Sequence, residues 1–203
     1  PSDEDIFASW GLQSSTTSIF DAAIGKPVNG APLDLLKNVS ILLQQSRLDF
    51  EELNAVISTQ FISHGGAYPL SIEPPMSCKP SEMRMSSLTV GHLDRIHRFV
   101  RLQRRLGWTI HDLDKSIKIT TGITLDAKTL FGLADLKRLS ESLHLPVASL
   151  IVWWSDSISV NDKMRLLASA LTLTGTELKH SLDLLAVSDP LVSPGTALKF
   201  CER

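Results

Sequence analysis

Residues 93–117 read LDRIHRFVRLQRRLGWTIHDLDKSI, and the spacing of apolar residues in this stretch decides the fold. At a helical advance of about 100° per residue, Leu93, Ile96, Phe99, Val100, Leu102 and Leu106 gather on one side. Arg98, Arg101 and Arg105 fall together on the opposite side. Gly107 interrupts the helix, Trp108 follows, and Thr109 is placed to cap a second helix with Asp112 as its partner acid. That helix carries Ile110, Leu113 and Ile117 on one face. The spacing predicts two helices joined at a Gly107–Trp108 corner, with Phe99, Leu113 and Ile117 in the core and Trp108 mostly buried against the second helix.

The same frame recurs along the chain. Beginning 60 residues earlier, 33–57 superimposes without a gap: Leu33, Leu36, Val39 and Leu42 match Leu93, Ile96, Phe99 and Leu102. Leu48 stands at the corner, Asp49 and Glu52 at the cap, and Leu53 and Ile57 on the second helix. A third copy runs 130–154, with Leu130, Leu133, Leu136, Leu139 and Leu143 as its first stripe, Leu145 at the corner and Pro146 opening the second helix. Val147, Leu150 and Trp154 complete its face, which places Trp154 inside and leaves Trp153 the more exposed. Core packing is accordingly expected of Trp108 and Trp154 rather than a carbohydrate platform. A fourth copy fits 158–182: Ile158, Met164, Leu167 and Leu171, corner Leu173, a Thr174–Glu177 capping pair, then Leu178 and Leu182. Asn161 and Gly175 weaken that match. The copies are unevenly spaced, which excludes a solenoid of fixed period. The fold class expected is all-α: stacked helix–turn–helix hairpins forming an irregular helical bundle.

Around these copies the chain divides into an N-terminal segment 1–31, a hairpin domain 32–190 and the start of a further helix at 191–203, opened by Ser193 and Pro194. In the first segment Ile6, Phe7 and Trp10 can dock as one turn, and 15–24 is expected as a short helix with Ile19, Phe20 and Ile24 inward. The insert 58–88 holds Pro69, Pro74, Pro75 and Pro80 and has no periodicity of its own, so it is either a binding loop or an ordered cover.

Composition narrows the function. Apolar residues make up 43% of 203 and charged ones 21%, with a formal net charge of −2, which argues against attraction of the whole domain to nucleic acid or anionic membrane. No apolar run approaches the roughly 20 residues of a membrane span, and the N-terminus is no signal peptide. The chain starts at Pro1 and is expected to be a piece of a longer one. Cys78 and Cys201 make no disulfide framework or metal site, and free thiols are expected. Phosphate-binding glycine loops, nucleophile elbows, zincin motifs and Cys/His clusters are missing from the sequence, so no enzyme, cofactor or metal is expected. His92 and His97 lie about 140° apart on a helix and cannot share a metal. The motif Asn38-Val39-Ser40 has the glycosylation form, but Val39 belongs to a buried stripe. The arginine stripe Arg98, Arg101 and Arg105, flanked by Arg95 and Arg104, is the one concentration of charge. No aromatic interleaves it, and Asp94, Asp112 and Asp114 stand near, so pairing with carboxylates of a neighbouring helix or domain is expected over phosphates.

The 93–117 stretch, with Leu88-Thr89 before it, closely resembles the A subunit of the Tc (toxin complex) insecticidal toxins and the related virulence-plasmid A proteins. The elements that carry the likeness are Arg95 to Phe99, Arg101-Leu102, the Gly107-Trp108 corner and Leu113-Asp114. The flanks LDFEELNAVISTQFI (48–62) and DPL (189–191) are similar to the family's as well. The resemblance spans roughly 30–203 and is strongest at 88–117. It implies a helical portion of the large outer shell, in a very long chain that assembles as a pentamer around a translocation channel and carries a toxic enzyme delivered by other subunits. Expected partners are thus other domains of the same chain, its copies in the pentamer and the other toxin-complex subunits, with a secreted or cell-surface location. No catalytic residue carries over, and nothing matches the family's channel or receptor-binding modules. The rival expectation is a freestanding helical protein–protein interaction domain or virulence effector, working through the proline-rich insert or the arginine stripe.

Overall fold

The computed structural model describes residues 1–64, 69–75, 77, 79–121, 123–154, 159–174, 176–180, 197 and 201. The chain is mainly helical, and two small antiparallel sheets of two strands each accompany the helices, so the all-α expectation holds only in its coarser form. It forms two compact units, Pro1–Ile110 and His111–Arg203.

The first unit opens with α1 (Asp3–Ser9), started by a reciprocal capping box between Ser2 and Asp5, and it buries Ile6 and Trp10. The segment expected as a helix over 15–24 is instead strand β1 (Ser18–Asp21), paired with β2 (Lys26–Asn29). Gly25 turns the loop at φ +66, a conformation no helix offers, and the buried Asp21 carboxylate accepts from the Ser40 hydroxyl at 2.6 Å and from the Ala23 N–H at 2.9 Å. Holding Asp21 inward turns Phe20 out, where it and Ile24 are exposed.

The first copy of the repeat is also broken where a continuous helix is expected. α2 (Pro32–Leu36) and α3 (Val39–Ser46) are separated by Asn38, whose backbone is extended. The insert explains the break. Its strand β4 (Arg84–Ser86), paired with β3 (Ser71–Glu73), runs past this point, with Val39 N–H donating to the Met83 carbonyl and Met85 N–H to that of Lys37. Met83, Met85 and Leu88 are buried, so this part of the insert is an ordered cover. After α3 come α4 (Phe50–Ile57), capped reciprocally by Asp49 and Glu52 as the sequence predicts, and α5 (Gln60–Ser63). Helix α6 (Val90–Leu106) packs on α1, α4 and α5. Leu93, Ile96 and Phe99 are fully buried, each such side chain contributing about 1.5–3 kcal/mol. The cover thins beyond Val100, where Leu102, Leu106 and Trp108 are half-buried.

The second unit contains α7 (Ile110–Thr121), α8 (Ala127–Leu143), α9 (Val147–Ile151), a 3₁₀ turn (Val152–Trp154) and α10 (Val160–Ala170), and is helical again over 176–180. Its core gathers Leu113, Ile117, Leu133, Leu136, Leu139, Leu150 and Leu167. Leu130 departs from its expected place and is 49% exposed. The helix start decides this. Asp126 caps the Thr129 N–H at 2.8 Å and the Thr129 hydroxyl donates to the Thr124 carbonyl, which draws Thr129 inward and leaves Leu130 and Phe131 facing out. The tryptophan pair is reversed as well: Trp153 is buried and Trp154 half-buried. The frame assumed α-helix through 154, but the 3₁₀ turn advances about 120° per residue and shifts the phase. The Thr174–Glu177 capping pair forms as predicted. Ile158, Gly175 and Leu182 of the fourth copy, and Ser193 and Pro194 of the expected last helix, lie outside the described residues, as does Cys78.

All four corners share one backbone device. The residue just before each corner position is left-handed: Arg47 at φ 56, Gly107 at 71, His144 at 53 and Thr172 at 55. At the first two, a single bond closes the turn, from Arg47 N–H to the Leu43 carbonyl and from Gly107 N–H to that of Gln103. At the later two, Leu145 N–H reaches the Ser140 carbonyl and Leu173 N–H that of Ala168, the six-to-one bond of the Schellman motif.

Candidate interaction site on the arginine helix

Helix α6 follows from its cap and its apolar spacing. Thr89 accepts from the His92 N–H, and the His92 ring returns the bond: the Thr89 backbone N–H donates to Nδ1 at 3.3 Å. Accepting there requires Nδ1 to be unprotonated. His92 is 1% exposed, and burial, reinforced by the Arg95 charge, pushes its pKa down.

The five arginines of α6 take different roles. Arg95 donates from Nη1 to the Phe61 carbonyl at 2.6 Å and lies over the Phe61 ring at 5.3 Å, while Phe61 itself stacks on Phe99 at 5.8 Å. Arg104 donates from Nη2 to the carbonyls of Ser46 at 2.9 Å and Arg47 at 3.0 Å, placing its charge on the negative end of α3. Arg98 stands 3.6 Å from Asp94 on the same helix. Arg101 and Arg105 are exposed and make no ion pair among the described residues. Arg95 and Arg104 reach neighbouring elements and bind main-chain carbonyls there. The signal for them was present in the sequence: each stands one turn from a core residue, Arg95 before Phe99 and Arg104 after Val100, at the border of the apolar stripe.

Between α1, the end of α3 and α6 lies a cleft of about 360 Å³. Arg47, Arg101 and Arg104 line it with Gln45, His97 and Trp10, and no carboxylate does. The Trp10 and His97 rings meet at 6.1 Å, tilted by 56°, and Trp10 Nε1 donates to the Leu93 carbonyl. Burial lowers the His97 pKa, with Arg101 adding to the effect and Asp94 opposing it.

Of the other residues the repeat singles out, Leu48 is buried beside its corner, and Leu113 and Ile117 are fully buried in the second unit. Leu145 is half-buried, and Gly107 is exposed with open space around its α-carbon. The Trp154 ring lies 6.0 Å from that of Trp153, and its buried Nε1 has no hydrogen-bond partner among the described residues. Also among the described residues, no group of three or more His, Cys, Asp or Glu is arranged to hold a metal ion, and no helix is long and apolar enough to cross a membrane. No family model, curated protein or solved structure matches the chain.

Proposed function

We propose that the chain is a non-catalytic shell element of a Tc-type toxin A subunit, built as an irregular bundle of stacked helical hairpins. The observation that carries this reading is the use α6 makes of the residues on which the resemblance rests. Ile96 and Phe99 are buried, Arg95 and Arg104 bind main-chain carbonyls of other elements, and Gly107 makes the left-handed turn. A helix that spends its apolar stripe and two of its five arginines on joining other elements suits a scaffold. The recurrence of a left-handed corner at Arg47, Gly107, His144 and Thr172 supports a repeated unit.

In this reading the partners are other regions of the same long chain, further copies in a pentamer and the remaining toxin-complex subunits, in an assembly that is secreted or held at the cell surface. The region itself takes no cofactor, binds no nucleic acid and does not enter the membrane. The test is the reading frame from which the chain derives, with its full product sized by light scattering. A product of thousands of residues that runs as a pentamer supports the proposal. A product that ends near residue 203 and runs as a monomer overturns it, and leaves the freestanding interaction domain or virulence effector.

A further inference from the structure

We propose that the cleft between α1, the end of α3 and α6 binds a small phosphate-bearing ligand. The inference goes beyond the shell role and does not depend on it. It starts from charge. The chain as a whole is net negative, yet Arg47, Arg101 and Arg104 converge on one concavity that no carboxylate lines. Guanidinium forks match phosphate oxygens in pairs of parallel hydrogen bonds.

The cleft is also partly organised in advance. Arg104 is fixed by its Nη2 bonds to Ser46 and Arg47, and a guanidinium has further N–H donors on its other nitrogens. Arg101 stands three residues away on the same helix face, and Arg47 sits opposite on a corner whose backbone is closed by its own bond to Leu43. Gln45 supplies an amide. The half-buried His97 ring, backed by Trp10, supplies an aromatic edge against which the organic part of a phosphate ester can lie. A volume of about 360 Å³ lies at the lower end of the range for small-molecule sites, which suits a ligand of mononucleotide or sugar-phosphate size better than an extended polymer.

His97 provides a reporter that a purely structural cleft would not move. Burial lowers its pKa first and the Arg101 charge second, against Asp94, so a phosphate beside the ring offsets the Arg101 charge and adds an attractive one of its own. The His97 pKa therefore rises when the site fills.

The experiment titrates the chain with inorganic pyrophosphate, following the His97 ring by NMR and thermal unfolding in parallel, against sodium chloride at matched ionic strength. Expected are a saturable rise in midpoint and a rise in the His97 pKa, neither reproduced by chloride. Arg101→Gln is expected to weaken binding about tenfold, the loss of one charge-assisted hydrogen bond. Arg105→Gln, on the same helix but outside the cleft, is expected to leave it unchanged. No saturable response, an equal response to chloride, or an equal response in Arg101→Gln overturns the proposal. Malonate binding as tightly as pyrophosphate overturns the assignment to phosphate.

Discussion

His92 closes the cap of its own helix with an unprotonated ring nitrogen, which ties the start of α6 to pH. Burial and Arg95 hold its pKa below the ordinary 6.5, so the unfolded chain takes up a proton before the folded one does. The stability contributed by the neutral ring is therefore complete above about pH 6.5 and is lost as pH falls through the depressed folded value. His97, lowered by burial and by Arg101, acts in the same direction. Urea midpoints measured between pH 8 and 5 are expected to drop on the acid side. His92→Gln is expected to shallow that drop while keeping the cap, because Gln at this position completes the same reciprocal box. An unchanged acid slope in the variant would assign the loss to other groups. Among the tryptophans, Trp153→Ala is expected to cost about 3–5 kcal/mol in chemical denaturation, the range for a large core aromatic, and the same change at the half-buried Trp108 clearly less. For Trp153 and its neighbour Trp154 the sequence points the other way, placing Trp154 inside. A regular helical frame cannot show that the chain tightens to 3₁₀ at Val152, where each residue advances about 20° further than the frame allows.

The corners are the elements the sequence reveals best, and the reason is physical. A corner needs an apolar residue to turn inward and a cap to restart the helix, and Leu48 with Asp49 and Glu52, or Leu173 with Thr174 and Glu177, carry both signals in adjacent positions. What residue type conceals is the left-handed backbone, since only Gly107 advertises it. Arg47, His144 and Thr172 adopt it at a cost of about 1–2 kcal/mol each for an L-residue. Thr172 is β-branched and the most strained in kind. Thr172→Gly is therefore expected to raise stability by up to about 1 kcal/mol after the glycine's added chain entropy is offset, read as a higher thermal midpoint. The opposite holds at Gly132 in α8. A Cβ there would come within 2.8 Å of Thr120 Cγ2, a branched side chain with little room to give. Gly132→Ala is expected to lower stability by about 1–3 kcal/mol even though alanine is the better helix former, and a neutral result would show that α7 and α8 can move apart. The β1–β2 hairpin stayed hidden because its decisive contact, Asp21 to Ser40, joins residues that no local pattern connects.

For the molecule as a whole, the helical content, most caps and the apolar stripe of α6 are legible because they depend on neighbours within a few residues. The arginine cleft is not. It needs Trp10 from α1, Gln45 and Arg47 from the end of α3, and His97, Arg101 and Arg104 from α6, side chains distant in sequence that only the folded unit brings together. Charge counting finds a basic stripe on α6 but cannot say which arginines turn to neighbours. The same separation governs when contacts form. Arg104 meets the Arg47 carbonyl across 57 positions of chain, so this bond can close only after a long loop has been drawn in. It is accordingly expected to form late on folding and to part early on unfolding. Arg104→Gln is thus expected to speed unfolding in stopped-flow denaturant jumps while leaving the refolding limb almost unchanged. Slowed refolding would instead place the bond in the folding nucleus. On this account Arg104 is a latch in time: it adds little to how fast the unit assembles and governs how long it stays assembled.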